Sequence, residues 1–354
     1  MKFTTIVNPS WCKINLGSRH GARTGVRFES VPGNLKDKPP SGAMSILLLA
    51  SRMDSASLNI YSELMDTEGW GEEVNMDHGM VSRHHSGLAE ALLIEDLHIW
   101  ADGIDTEHQS KTGREVDEVL VLSRHVSASE TPAMTLHAIG VPGETPHGEI
   151  ARSGGITGKV VPPSTMFGDL FRTMSRISIE KGLESDYDIT LETTHHGPVL
   201  QKPTLYVEIG SSEDRWSDRI AARVWAETIS ECIGLDGGNP RSWQGSGDVM
   251  VGFGGGHYAP RHKAIIAQSD VWVGHLIANY AIPFDKMVGE EDPEEVWKHS
   301  VSVAIASTQE AFPGGRVFAH LDRKSFKGWQ RSAMIEFLHE LGVPVMRGKQ
   351  ILPP

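Results

Sequence analysis

Cysteine is nearly absent: the 354 residues hold two, Cys12 and Cys232. That excludes a disulfide framework and any cysteine-based zinc module, and it fits a reducing compartment. Long apolar runs are missing too. The cleanest stretch, Ile46 to Ala50, is strand-sized and far short of the roughly 18–20 residues that a membrane span needs. No hydrophobic segment with a small-residue cleavage site stands at the amino terminus, so the expectation is a soluble, cytoplasmic protein. Patterns that fix a chemistry by themselves are also lacking: there is no GxSxG elbow, no HExxH and no CxxC. The run GFGGGH at 252–257 has neither the third glycine of a dinucleotide fingerprint nor the Lys-Ser or Lys-Thr of a P-loop. Nucleotide binding by either device is therefore not expected.

Histidine, in contrast, is abundant. Seventeen imidazoles are available as bases or metal ligands, in a chain of formal net charge −13. That charge repels polyanions, so binding to nucleic acid would have to rest on a local basic patch. Taken alone, the acidity says only that the protein stays in solution. Apolar content of 39% and charged content of 22% are those of an ordinary globular protein.

Residues 1–43 are rich in Gly, Arg, Pro and Ser without apolar periodicity, and they read as a flexible extension. Met44 opens a strand directly and is an alternative start; a transit peptide is the other reading of the Arg-rich segment. From residue 44 to residue 354 strands and helices alternate, which predicts a single α/β domain. SILLLA (45–50), EVLVLSRH (118–125), TPAMTLHAIG (131–140), YDITLETTHH (187–196), TLYVEIG (204–210), DVMVGF (248–253), RVFAHL (316–321) and VPVM (343–346) read as extended. Helices are expected after Asp54 or Ser55, after Pro162-Pro163-Ser164, after Ser211 or Ser212, and from Ser325 to Gly342. The predicted fold class is α/β, with a mixed, largely parallel sheet covered by helices on both faces.

In such sheets ligands bind beyond the carboxyl ends of strands. Four strand-like runs here end in candidate chemistry: SRH at 123–125, THHGP at 194–198, EIGSS at 208–212 and GFGGGHYAPR at 252–261. Gly254, Gly255 and Gly256 permit positive φ and close approach of a ligand, and successive amides in such a turn form an anion nest. In an ester hydrolase that nest would hold the oxyanion, with His257 at its rim. The plain alternative is a glycine-rich turn with a satisfied histidine. His195 and His196 are neighbours on a strand-like segment, so their side chains are expected on opposite faces unless Gly197-Pro198 bends the chain. A neutral imidazole there suits a general base; together with His125 or His137 it suits a zinc ligand. Arg323, Lys324, Lys327 and Arg331 surround an expected helix start and, with Arg261 and Lys263, form a candidate phosphate seat; the alternative is a solvated basic face. The acidic run at 289–295 reads as a solvated loop.

TTHHGP, EIGSSEDRW, GFGGGHYAPR and GHLIANYA (274–281), with SRHVSASETPAMTLHAIG (123–140) and PPSTMFGDLFRTMS (162–175) in the same order, resemble the archaeal and plant type of D-aminoacyl-tRNA deacylase. The resemblance runs over about residues 44–354, leaving out the amino-terminal extension and the Gly/Pro-rich stretch 141–155. It implies a fold like that of phosphorylases and peptidyl-tRNA hydrolases. It implies hydrolysis of the ester between a D-amino acid and the 3′ end of tRNA, with zinc as cofactor, charged tRNA as partner and no obligate protein partner, the chain acting as a monomer. The matched motifs carry His125, His137, His195, His196, His257 and glycines 254–256. One assignment gives His196 and His257 to proton transfer and His125, His137 and His195 to the metal. A nucleoside phosphorylase-like transferase, with phosphate in the glycine nest, and a non-catalytic tRNA-binding protein are the alternatives.

Overall fold

A computed structural model describes residues 44–143, 154–284 and 293–352. The strands are β1 (Ile46–Ser51), β2 (Val74–Met76), β3 (Gly79–Arg83), β4 (Ala89–Ile94), β5 (Glu118–Val126), β6 (Ala133–Ala138), β7 (Gly140–Val141), β8 (Lys159–Val160), β9 (Asp188–Ile189), β10 (Thr204–Ser211), β11 (Asp248–Phe253), β12 (Trp272–Ile277) and β13 (Arg316–Leu321). The helices are α1 (Ser55–Met65), α2 (Ile104–Thr112), α3 (Phe167–Glu180), α4 (Glu213–Trp216), α5 (Arg219–Ile233), α6 (Pro260–Ala267), α7 (Pro293–Ala311), α8 (Gly328–Glu340) and α9 (Gly348–Ile351).

The main sheet has eight strands in the order β2-β3-β4-β1-β5-β10-β6-β9. β1 lies between two parallel neighbours, β4 and β5, and every one of its residues is buried, as a continuous apolar run in a doubly covered sheet should be. β10 runs parallel to β5 and antiparallel to β6, in a register that sets Tyr206 opposite His137. Helices α1, α3 and α5 lie together on one face, where Ile60, Phe171 and Trp225 enter the core. On the other face Ile104 of α2 packs among Leu47, Val119, Val121 and Tyr206. The Asp54 carboxylate caps α1 by accepting from the Ser57 N–H, the sequence-predicted start.

The predicted central strand DVMVGF is β11, and it sits in a separate three-stranded parallel sheet, β12-β11-β13. Met250 and Phe318 face the main core on one side; Val251 and Phe253 join Val301, Phe312 and Met334 of α7, its following turn and α8 on the other. Three sheets rather than one hold the described strands, the third being the antiparallel pair β7-β8, but the class is the expected mixed α/β.

Three local expectations change. Of YDITLETTHH only Asp188–Ile189 forms a strand; the segment keeps hydrogen bonds to β6 as far as Glu192, then turns to His257 and β12 and meets Ile139 in a single bridge at His195. The helix after β10 is broken at Ser217, and Asp218 instead of Ser211 or Ser212 caps the long piece by accepting from the Ile220 and Ala221 N–H groups. VPVM contributes a single bridge, Val345 to Ala319, and no strand. Cys232 is buried, while Cys12, the 1–43 extension, residues 144–153 and the run 289–292 lie outside the described residues. Among the described residues no helix is long and apolar enough to cross a membrane.

Candidate active site

The stretch from Thr190 to His196 positions most of the chemistry. It first follows β6, its Thr190 and Glu192 N–H groups donating to Met134 and Leu136 carbonyls; then Thr193 N–H donates to His257 O at 2.8 Å and Thr194 N–H to Leu276 O at 2.6 Å. One irregular segment thus ties the large sheet, the glycine turn and β12 together. It ends at Gly140, whose N–H donates to the carbonyls of both His195 and His196. Since the backbone is not pleated there, the two side chains do not go to opposite faces. Both surround His137, with ring centres 4.0 Å (His195) and 4.8 Å (His196) away.

His137, His195 and His196 place one ring nitrogen each within 4.8 Å of one another. His137 donates from Nδ1 to the Ala138 carbonyl at 3.0 Å, which turns Nε2 inward. That atom is buried without a hydrogen-bond partner, 3.8 Å from Glu208. His195 donates from Nδ1 to Thr193 O at 2.8 Å, so its Nε2 is the acceptor. Burial, reinforced by the neighbouring His137, pushes His196 down to about 3 and His195 well below the usual imidazole range, so both stay neutral. Burial alone would lower His137 as well, but Glu208, Glu192 and the Ala138 carbonyl raise it, so an ion held by these three rings would displace a proton from His137. The three rings are one of the groups in this cluster that could hold a metal ion.

His125 is different. Its Nδ1 lies 3.0 Å from Glu192 and 3.3 Å from Glu208, and its Nε2 is 2.9 Å from the Tyr258 hydroxyl. Burial alone would lower its pKa, but the two carboxylates outweigh that and push it up to about 11. Among the described residues His137 groups with His195 and His196, whereas His125 groups with Glu192 and Glu208, so His125 does not share the His137–His195 set. Burial acts to raise both carboxyls, yet imidazole contacts hold them below the usual carboxylate range: His125 and His257 for Glu192, His125 and His137 for Glu208. Glu192 also contacts His257 Nε2 at 2.6 Å, and the His257 side chain keeps 15% of its surface exposed. Indole N–H groups brace the cluster from behind, Trp225 donating to Glu208 O and Trp216 to His125 O, both at 3.0 Å.

The glycine turn meets the imidazoles, with His257 and His195 ring centres 4.6 Å apart. It is not the three-amide nest expected from sequence. Gly254 N–H donates to Ile277 O at 2.8 Å and Gly255 N–H to Ser325 Oγ at 2.7 Å. Positive φ at both (+92° and +90°) explains the glycines, and a Cβ on Gly254 would come within 2.6 Å of the Phe326 ring. Gly256 is exposed, and its N–H has no protein partner among the described residues. With two of three amides engaged, the turn offers no phosphate nest of the kind the transferase alternative required.

A family model for D-aminoacyl-tRNA deacylase matches residues 112–346, a span that includes every residue of this cluster. The chain belongs to that family. A D-aminoacyl-tRNA deacylase of Arabidopsis thaliana is 39% identical over 313 residues, covering 85% of this chain and 98% of its own length. One from Methanosarcina mazei is 30% identical, covering 86% and 93%. Among solved structures, the crystal structure of AF0625, described as a conserved protein of unknown function, aligns with a TM-score of 0.69 at 26% identity, over 88% of this chain and 97% of that one.

For a member of a tRNA-directed family the basic residues matter next. Arg261, Arg323 and Lys324 line one groove, where Arg261 also pairs with Asp322 at 3.0 Å. Lys263 pairs instead with Asp188 at 3.0 Å, and Arg331 donates to the carbonyls of Arg323 and Phe326 at 2.9 and 2.7 Å, bracing the loop. Lys327 occupies the cap position of α8. The six cations therefore do not form one seat. Sequence reasoning also missed Arg347, on the groove's far wall. It missed Glu192 and Glu208 as well, although a lone acid inside the apolar strand TLYVEIG signals a paired, buried charge. Tyr206 gave no such signal. Its hydroxyl meets His98 Nδ1 at 3.1 Å while its ring lies 5.1 Å from that of His137.

Proposed function

We propose that this chain hydrolyses the ester that joins a D-amino acid to the 3′ end of tRNA, releasing the free D-amino acid and tRNA. The observation that carries the reading is the adjacency of the His137–His195–His196 donor group to the Glu192–His257 pair, in a member of this family. In this reading His257, steered by Glu192, takes the proton of the attacking water. The water oxygen bonds to the acyl carbon, the bond from that carbon to the ribose oxygen breaks, and the proton passes from His257 to the leaving oxygen. Gly256, exposed and with an N–H that has no protein partner among the described residues, would supply the amide for the acyl oxygen.

His137, His195 and His196 fit zinc, and they would hold it. When bound, zinc would polarise a carbonyl as a Lewis acid. His196, at first assigned to proton transfer, is here a ligand, and His125 keeps the two carboxylates charged and in place. Arg261, Arg323 and Lys324 meet phosphates of the acceptor end, which positions a substrate without reading its sequence. A monomer working in the cytoplasm is the setting we infer, since a chain with two cysteines suits a reducing compartment.

The test is paired deacylation of D-Tyr-tRNA and L-Tyr-tRNA, with metal analysis of untagged protein. Release of D-tyrosine with the L-ester spared is expected, at one zinc per chain in the parent and less in His196→Ala. Equal cleavage of both esters overturns the stereospecific reading; full activity in chelator with no bound metal removes zinc.

A further inference from the structure

The groove that receives Arg261, Arg323 and Lys324 has a volume of about 860 Å³ and is walled on its far side by Val345, Met346, Arg347 and Gly348. It opens three residues after His257, at the start of α6, and reaches the carboxyl end of β13. Its size is within the roughly 300–1,000 Å³ of small-ligand clefts. The rim and floor have opposite character. Arg323, Lys324 and Arg347 are exposed at the rim, and none of them makes an ion pair among the described residues. The floor is aliphatic: Ile265, Ile335 and Met346, with Ile335 38% exposed. His320 lies at its edge, its Nδ1 2.9 Å from Nδ1 of His262, whose Nε2 is in turn 3.3 Å from Gly254 O.

On a chain of net charge −13, a cluster of unpaired cations around an apolar floor selects an anion that also carries a face to bury. Duplex RNA does not meet that description, because its bases are stacked inside and only its backbone faces a protein. Single-stranded nucleotides do, since their bases splay onto apolar or imidazole surfaces while their phosphates take the cations.

We propose that this groove holds the unpaired 3′-terminal nucleotides of tRNA, with phosphates on Arg323, Lys324 and Arg347 and a base on the Ile265–Ile335–Met346 floor. This rests on the deacylase reading and goes further, naming the part of the substrate bound and the wall, residues 345–348, that closes on it. The segment from Arg261 back to His257 then leads from the last phosphates to the ester.

The experiment compares uncharged tRNA with the same tRNA lacking its three terminal nucleotides. Binding is measured by fluorescence with the full chain and with Arg347→Ala and Ile335→Asp, two exposed positions whose folding is checked by thermal melting. The parent should bind the full tRNA about tenfold more tightly than the trimmed one. Both substitutions should erase that difference and raise KM for D-aminoacyl-tRNA. Equal binding of the two tRNAs by the parent overturns the proposal, as does a difference that survives both substitutions. Weakened binding of the trimmed tRNA by Arg347→Ala overturns it too, by assigning the groove to the duplex. A parent that releases no D-amino acid is a separate result, one that rejects the deacylase reading itself.

Discussion

His257 of the imidazole cluster stands three residues before Pro260 of the basic groove, but the two sites handle charge in opposite ways. In the cluster, Glu192 and Glu208 are buried, and each has imidazole neighbours within 3.8 Å. In the groove, Arg323, Lys324 and Arg347 are exposed and make no ion pair among the described residues, the one carboxylate of the lining, Asp322, being paired with Arg261. Buried pairs act at short range and low dielectric, so removing one partner has a large effect that salt barely changes. Exposed cations act through a screened field, so each one contributes little and salt removes it. The first arrangement suits bond making and the second suits collecting a polyanion.

The sharpest way to break the comparison is at His257 and Glu192. His257→Ala and Glu192→Gln should each lower kcat for D-aminoacyl-tRNA by about 10²–10⁴-fold. The factor should be the same at 50 and at 200 mM salt, in keeping with the range of screening. Single-turnover deacylation at both salt concentrations checks this. A loss that vanishes at saturating substrate would move these residues from chemistry to binding.

A third buried carboxylate sharpens the point. Glu118 is fully buried like Glu192, but its oxygens meet the hydroxyls of Ser164 and Thr165 and the Thr165 N–H, with no imidazole or guanidinium. Burial therefore wins and pushes it up from 4.5 to about 7. An acid whose pKa is higher folded than unfolded contributes stability that is complete below the unfolded value and is lost as pH rises through the folded one. The window here is pH 4.5 to 7. Across it, Glu118→Gln, which stays neutral, should gain on the parent by about 3 kcal/mol, the shift converted at 1.36 kcal/mol per unit, with no further change above pH 7. Urea unfolding of both proteins at several pH values tests this; a pH-independent difference would show that the hydroxyls keep Glu118 charged.

How much of this was legible in the sequence follows the same division. The strand ends bearing His125, His195 and the glycine turn announce themselves by composition, because apolar runs stop at imidazoles and glycines. The two faces of β1 and the cap at Asp54 are local properties, and they came out as expected. What did not come out depends on contacts between distant segments. Which histidines come together is decided by Gly140 holding both carbonyls of the 195–196 pair, and by Glu208 arriving on a strand 83 residues from His125. Likewise Lys263 belongs to Asp188, 75 residues away, and Gly255 N–H belongs to Ser325, 70 residues away. Spacing along the chain carries none of these pairings.

The smallest effects belong to the groove, where contrast between variants is more informative than size. Neutralising one single-strand phosphate contact should lower the slope of log affinity against log salt by about 0.7. Arg323→Ala and Lys324→Ala should each show that decrement for full-length tRNA. Lys263→Ala should not, since its ammonium is held 3.0 Å from Asp188 and does not line the groove. A neutral site pair and a true phosphate contact would thus separate although the two lysines, 263 and 324, are the same residue type and were assigned to the same seat from sequence. If Lys263→Ala lowers the slope as much as Lys324→Ala does, the RNA draws that lysine away from Asp188, and the footprint extends from the groove across the start of α6 toward β9.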